Sequence, residues 1–153
     1  MPETIEVSRL PNLVGTKLEP TDWVHITQDR INQFADATND HQFIHVDPER
    51  AAQTPFGGPI AHGYLTLSLL SFFGMQSGVI PEGLVMAVNY GSDKVRYLAP
   101  VSVDSRVRAH QKIADVTEKK PGQWLIKTSV TIEIEGEQTP ALIAEILGLY
   151  IVA

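Results

Sequence analysis

The sequence contains no cysteine. A disulfide scaffold, a thiol nucleophile, a zinc–cysteine centre and an iron–sulfur cluster are therefore excluded. Positive charge is also scarce: 12 Lys and Arg stand against 18 Asp and Glu, for a net charge of −6. Binders of nucleic acid or anionic membranes are normally basic, so neither partner is expected. No apolar run reaches the roughly 20 residues needed to cross a bilayer. The most apolar stretch, Ile60 to Met75, is shorter and is interrupted by His62, Thr66, Ser68 and Ser71. Met1 to Leu10 carries acids and lacks the apolar stretch of a secretion signal, so a cytoplasmic location is expected. Internal repeats and low-complexity linkers are absent too. What remains is 153 residues, 43% hydrophobic and 20% charged. That is the length of a single domain spanning 1–153 and composition enough for a real core.

Periodicity divides the chain in two. Thr4 to Leu10 has the makings of a short helix stopping before Pro11, and Asp22 to Ile26 alternates as a strand. Thr27 is a good N-cap, and Ile31, Phe34, Ala35 and Thr38 then share one helical face. That helix should end near Asn39, which tolerates the left-handed cap conformation. Asp40 to Asp47 reads as a connector, and Pro48 can start a further helical turn. A turn cluster, Thr54 to Pro59, leads into Ile60 to Gln76, which is apolar nearly all round and must be surrounded by other structure. Beyond Pro81 the period becomes two. Leu84–Leu98, Arg106–Val116, Trp124–Glu135 and Leu142–Val152 read as four long strands. Helices and an antiparallel sheet in this order predict an α+β fold, one buried helix wrapped by the sheet.

Two segments carry chemistry. In the first, Asp40 and His45 are an acid and an imidazole five residues apart. On a continuous helix they would sit about 140° apart, so they converge only if the connector bends. The helix stop at Asn39 permits that bend. A carboxylate can fix an imidazole tautomer or hold a water, and histidine exchanges protons near neutral pH. The bland alternative is a surface acid beside a half-buried histidine. In the second segment, Phe56 to Tyr64, Gly57, Gly58 and Pro59 precede Ile60-Ala61-His62-Gly63. Gly63 falls near the start of the apolar helix, where backbone N–H groups lack intrahelical partners and the dipole favours negative charge. Taken alone, Gly63 reads first as a glycine for tight packing.

Taken together, the segments resemble the (R)-specific enoyl-CoA hydratases of the MaoC-like family. The matching residues are Phe34, Asp40, Ile44, His45 and Ala51, followed by Ile60 to Gly63. Asn39, Gln42 and Phe43 depart from the usual glycine, asparagine and proline, and the resulting Asp-His-Gln-aromatic-Ile-His form resembles the NodN-like branch. These departures leave the acid–base pair intact and bear on substrate identity. The resemblance implies a hot dog fold, a homodimer, and syn hydration of a trans-2-enoyl-CoA to an (R)-3-hydroxyacyl-CoA. It assigns Asp40 and His45 to catalysis, with His45 favoured as base and the opposite allocation open. It assigns the Gly63 N–H to the thioester oxygen and Ser71 to the pocket wall; His62, just before Gly63, is expected to shape the pocket floor or to pack structurally. It calls for no metal and no cofactor beyond the CoA thioester substrate.

Other residues are weighed against plainer roles. Ser71 could equally bond its own helix backbone. His25, His41 and His110 read as surface histidines. From Lys94 to Lys127 eight basic residues face three acids, a local excess of +5 inside an acidic chain. Lys94 and Arg96 alternate with Val95 and Tyr97 and are candidates for the CoA phosphates, or simply for a solvated strand face. A hot dog thioesterase usually carries a carboxylate on the central helix, but Ile60 to Gln76 has none. A non-catalytic acyl-CoA-binding dimer is the other alternative. Exposed strand edges are hazardous when unpaired, which independently favours dimerisation through the sheet.

Overall fold

The computed structural model describes residues 2–153. Strand β1 (Thr4–Ile5) is followed by a 3-10 helix over Val7–Leu13 and by β2 (Val24–His25). Helices α1 (Gln28–Thr38), α2 (Phe43–Val46), α3 (Pro48–Ala51) and α4 (Gly63–Ser77) come next. Then β3 (Ile80–Pro81) precedes four long strands: β4 (Leu84–Tyr97), β5 (Arg106–Lys120), β6 (Gln123–Ile134) and β7 (Leu142–Val152). The main sheet has the order β2-β5-β6-β7-β4 and is antiparallel throughout. Helix α4 lies against it, in the α+β arrangement read from the sequence.

The core follows from the strand alternation. Val130, Ile132 and Ile134 point inward and are buried, as the period-two pattern requires. With Val107, Ala109, Leu142 and Ala144 they form one side of a cluster whose other side is Leu65, Leu70 and Phe73 of α4. Phe73 has no exposed surface.

Four expectations need correction. Thr4 to Leu10 is not one helix: β1 pairs in parallel with β3, and the 3-10 helix runs through Pro11. The cause is tertiary. Leu10 is drawn completely into a second cluster with Val79, Ile113, Trp124 and Ile126. The apolar helix begins at Gly63, three residues later than its hydrophobicity suggests. Ile60 forms a bridge with Ser102, and the Ala61 N–H donates to Val101, so the backbone there belongs to a strand-like path. Nor is α4 enclosed on all sides within one chain, since Tyr64, Phe72 and Met75 are exposed. The connector from Asp40 to Asp47 also contains a short helix, α2.

Candidate active site

The site grows from the end of α1. Thr27 caps this helix by accepting from the Arg30 N–H at 3.1 Å. Asn39 ends it in the left-handed conformation, φ 60° and ψ 24°. A short polar side chain tolerates that geometry, and the chain turns sharply there. Asp40 follows, exposed, its Oδ1 accepting from the Gln42 N–H at 3.3 Å. One turn of helix, α2, then carries His45 inward, where it is only 6% exposed. Gln28 of α1 holds this turn by donating from Nε2 to the His45 carbonyl at 2.8 Å.

The His45 tautomer is fixed by its partner. Nδ1 lies 2.6 Å from the Ile60 carbonyl, which can only accept, so Nδ1 carries the hydrogen. Nε2 is left with a free lone pair. Burial pushes the His45 pKa below the ordinary histidine value, opposed by the bond to Ile60. The neighbouring His62 lowers it further and Asp40 raises it. A buried imidazole with a bare Nε2 is an acceptor of protons.

The structure gathers Asp40, His45 and His62. A carboxylate oxygen and one nitrogen from each ring lie within 4.8 Å of one another. One water making two bonds of about 2.8 Å spans roughly 4.5 Å. His62 is 2% exposed and stacks on His45, with ring centroids 3.9 Å apart and planes inclined by 23°. The spacing of the three groups admits a bridging water, and the same carboxylate and two imidazoles also form a set of ligand atoms of the kind that holds a metal ion.

Gly63 is the first residue of α4, and no acceptor for the N–H of Gly63 or Tyr64 is present among the described residues. The Tyr97 ring rests on the Gly63 Cα: a Cβ there would meet Tyr97 Cε1 at 2.9 Å. Gly63, Ile60, Ala61 and Tyr97 line a cleft of about 520 Å³ that is mostly apolar. Its lining does not include Asp40, His45 or His62. Ile60 joins the two regions, since its carbonyl anchors His45 and the residue also lines the cleft. Ser71 lines a different cleft of about 660 Å³ between α4 and the sheet, beside Leu67, Gly74 and Val130.

Lys94 and Arg96 lie on the outer strand β4, and Arg96 Nη1 donates to the neighbouring Val95 carbonyl at 2.7 Å. The local basic excess is partly cancelled by acids outside that stretch. Arg106 pairs with Glu135, Arg108 with Glu133 and Lys127 with Asp93. The remaining histidines have acidic partners that sequence reading missed: His25 with Asp104, His41 with Asp36 and His110 with Glu133. The role of Tyr97 over Gly63 was also invisible, because it depends on where β4 ends relative to α4.

With this geometry in place, the chain can be compared with known proteins. Residues 9–137 match the model of the MaoC like domain. The chain is 48% identical over 145 residues to 3-hydroxyacyl-thioester dehydratase Z of Mycobacterium tuberculosis, covering 95% of each protein. It is 44% identical to Nodulation protein N of Rhizobium meliloti, covering 95% of this chain and 91% of that one. Among solved structures, the (R)-hydratase of Aeromonas caviae, involved in PHA biosynthesis, superposes with a TM-score of 0.72 at 26% identity. That match covers 88% of this chain and 94% of the hydratase. The fold is thus the hot dog fold of these dehydratases, and the chain belongs to the MaoC-like family.

Proposed function

We propose that the protein is an (R)-specific enoyl-CoA hydratase, adding water syn to a trans-2-enoyl-CoA. The observation that carries this reading is the closeness of Asp40 and His45, whose carboxylate and ring-nitrogen atoms lie within 4.8 Å, with the His45 Nδ1 engaged by Ile60 and its Nε2 left to accept. In the reaction, Asp40 and His45 hold that water beside C3. His45 Nε2 takes one of its protons as the oxygen attacks. Charge builds on the thioester oxygen, which accepts from the Gly63 N–H at the positive end of α4. The acid–base pair returns a proton to C2 on the same face, so the elements of water are added and nothing else is consumed. The reverse path is a dehydration by the same groups, consistent with the name of the 48% identical relative, 3-hydroxyacyl-thioester dehydratase Z. No metal or cofactor enters.

The working unit in this proposal is a homodimer of one MaoC-like domain per chain, and its location the cytoplasm. Strand β4 is the outer strand of the sheet and exposes Val85, Met86, Val88 and Tyr90. Such an edge invites a second sheet, and a second copy would also cover Phe72 and Met75 of α4. Among the described residues no helix is long and apolar enough to cross a membrane.

The test is incubation with crotonyl-CoA. Loss of the conjugated enoyl absorbance, with (R)-3-hydroxybutyryl-CoA as product, is the expected result. Release of free CoA thiol would replace this reading with a thioesterase, and α4 supplies no carboxylate for one. No turnover with short or long enoyl chains would replace it with an acyl-binding module.

A further inference from the structure

His62 takes no part in the proton transfers just described, yet it touches both groups that make them. Its Nε2 lies 2.9 Å from the Asp40 carbonyl. That oxygen can only accept, so Nε2 carries the hydrogen and donates it. Its ring stacks on His45 at 3.9 Å. Phe34 of α1 packs against the same ring at 4.9 Å, with planes inclined by 54°. His62 is also the N-cap residue of α4, directly before Gly63. The turn after α1, the helix α2 and the start of α4 therefore meet at one imidazole that is 2% exposed and has no room to swing.

We infer that His62 is a positioning residue, holding the Asp40 main chain and the His45 ring in register with the Gly63 N–H. The inference rests on the acid–base reading of Asp40 and His45. Asp40 needs such a support. Its side chain is exposed and, among the described residues, forms no ion pair and one hydrogen bond, to the Gln42 N–H, which is long at 3.3 Å. The carboxylate therefore goes where the backbone puts it, and the His62 bond ties down that backbone. His45 is held at one edge by Ile60 and across one face by His62. Two hydrogen bonds and a stack thus replace the direct Asp–His bond that the pair lacks. Reacting groups tolerate little displacement, since a shift of about 1 Å can cost 100-fold in rate.

Two variants separate the two contacts. His62→Phe keeps a ring for stacking and removes the donor. His62→Gln keeps a donor and removes the ring. Each should lower kcat for crotonyl-CoA hydration by about 10- to 100-fold. KM should change by less than about threefold, because the His62 ring is buried and does not line the cleft. Thermal melts identify a variant that fails to fold, and the other then carries the test. An independent readout is the NMR titration of the His45 imidazole. The charged or titratable groups facing His45 are Asp40 from the turn after α1 and His62 from the start of α4. Losing His62 removes an influence that lowers the His45 pKa, so the midpoint should move up in His62→Phe. A folded variant with wild-type kcat overturns the inference. So does a loss expressed wholly in KM, or a His45 titration that does not move. If the wild-type protein fails to hydrate enoyl-CoA, the hydratase reading falls, and crystal structures of the two variants still decide the positioning role: an Asp40 main chain and a His45 ring that keep their wild-type places overturn it.

Discussion

The oxyanion assignment can be isolated with a pair of substitutions at Gly63. Gly63→Ala keeps the N–H but adds a methyl 2.9, 3.1 and 3.2 Å from Cε1, Cδ1 and Cζ of Tyr97. Carbon atoms settle at about 3.5–4.0 Å, so the ring must retreat by roughly 0.6–1 Å. Tyr97 is 49% exposed and has space to move. The steric cost is then about 1–3 kcal/mol, the range for modest overpacking. Gly63→Pro adds the same Cβ and also deletes the N–H. Proline is tolerated at the first helical position, where the N–H has no helical partner. His62 already has φ −58° and ψ 139°, the extended geometry favoured before proline. The two variants therefore share the clash and differ mainly in the donor. One oxyanion donor contributes about 10²- to 10³-fold to kcat, or ~2.7–4 kcal/mol. Crotonyl-CoA hydration should show that gap between Ala and Pro, with melting temperatures of the pair alike. A proline variant that matches the alanine variant in kcat would refute the assignment.

The remaining predictions concern pH, packing and assembly. Because the His45 pKa is lowered chiefly by burial, the acid limb of kcat/KM should lie below the ordinary histidine value of 6.5. The stability sign follows from the same shift. The unfolded chain binds this proton more readily, so His45 contributes fully above its unfolded pKa. That contribution is lost as pH falls below it, which urea melts across this window can measure. Phe73→Ala empties a fully buried site against the sheet and should cost about 3–5 kcal/mol by chemical denaturation. A double change, Val88→Asp with Tyr90→Asp, places charge on the exposed face of β4 and should halve the mass seen by light scattering. An unchanged mass would place the dimer contact elsewhere.

Local chemistry made much of the fold legible. The four strands, the Thr27 cap and the Asn39 stop follow from alternation and capping, which act over a few residues. What escaped was set by distant partners. The first helical turn of α4 was misplaced because Ile60 and Ala61 pair with the segment at Val101 and Ser102, some forty residues on. The N-terminal segment was misread because Leu10 answers to Ile113 and Trp124. At the site, residue types and spacing left Asp40 and His45 open to a plain structural reading, and it was the resemblance to the MaoC-like family that singled them out. The Nδ1 bond to Ile60, the stack on His62 and the Tyr97 lid on Gly63 each join residues at least 15 apart in sequence. No local pattern encodes such contacts. The basic excess from Lys94 to Lys127 was similarly weakened by cross-strand acids that a linear count leaves out.

The central claim is that Asp40 and His45 act together on one water. Rates of crotonyl-CoA hydration by the wild-type protein, Asp40→Asn and His45→Gln test it most directly. General acid–base groups each contribute about 10²- to 10⁴-fold, so both variants should fall by that range. The double variant should fall little further, because groups acting as a unit are not additive. Hydration persisting near the wild-type rate in both single variants would contradict the account.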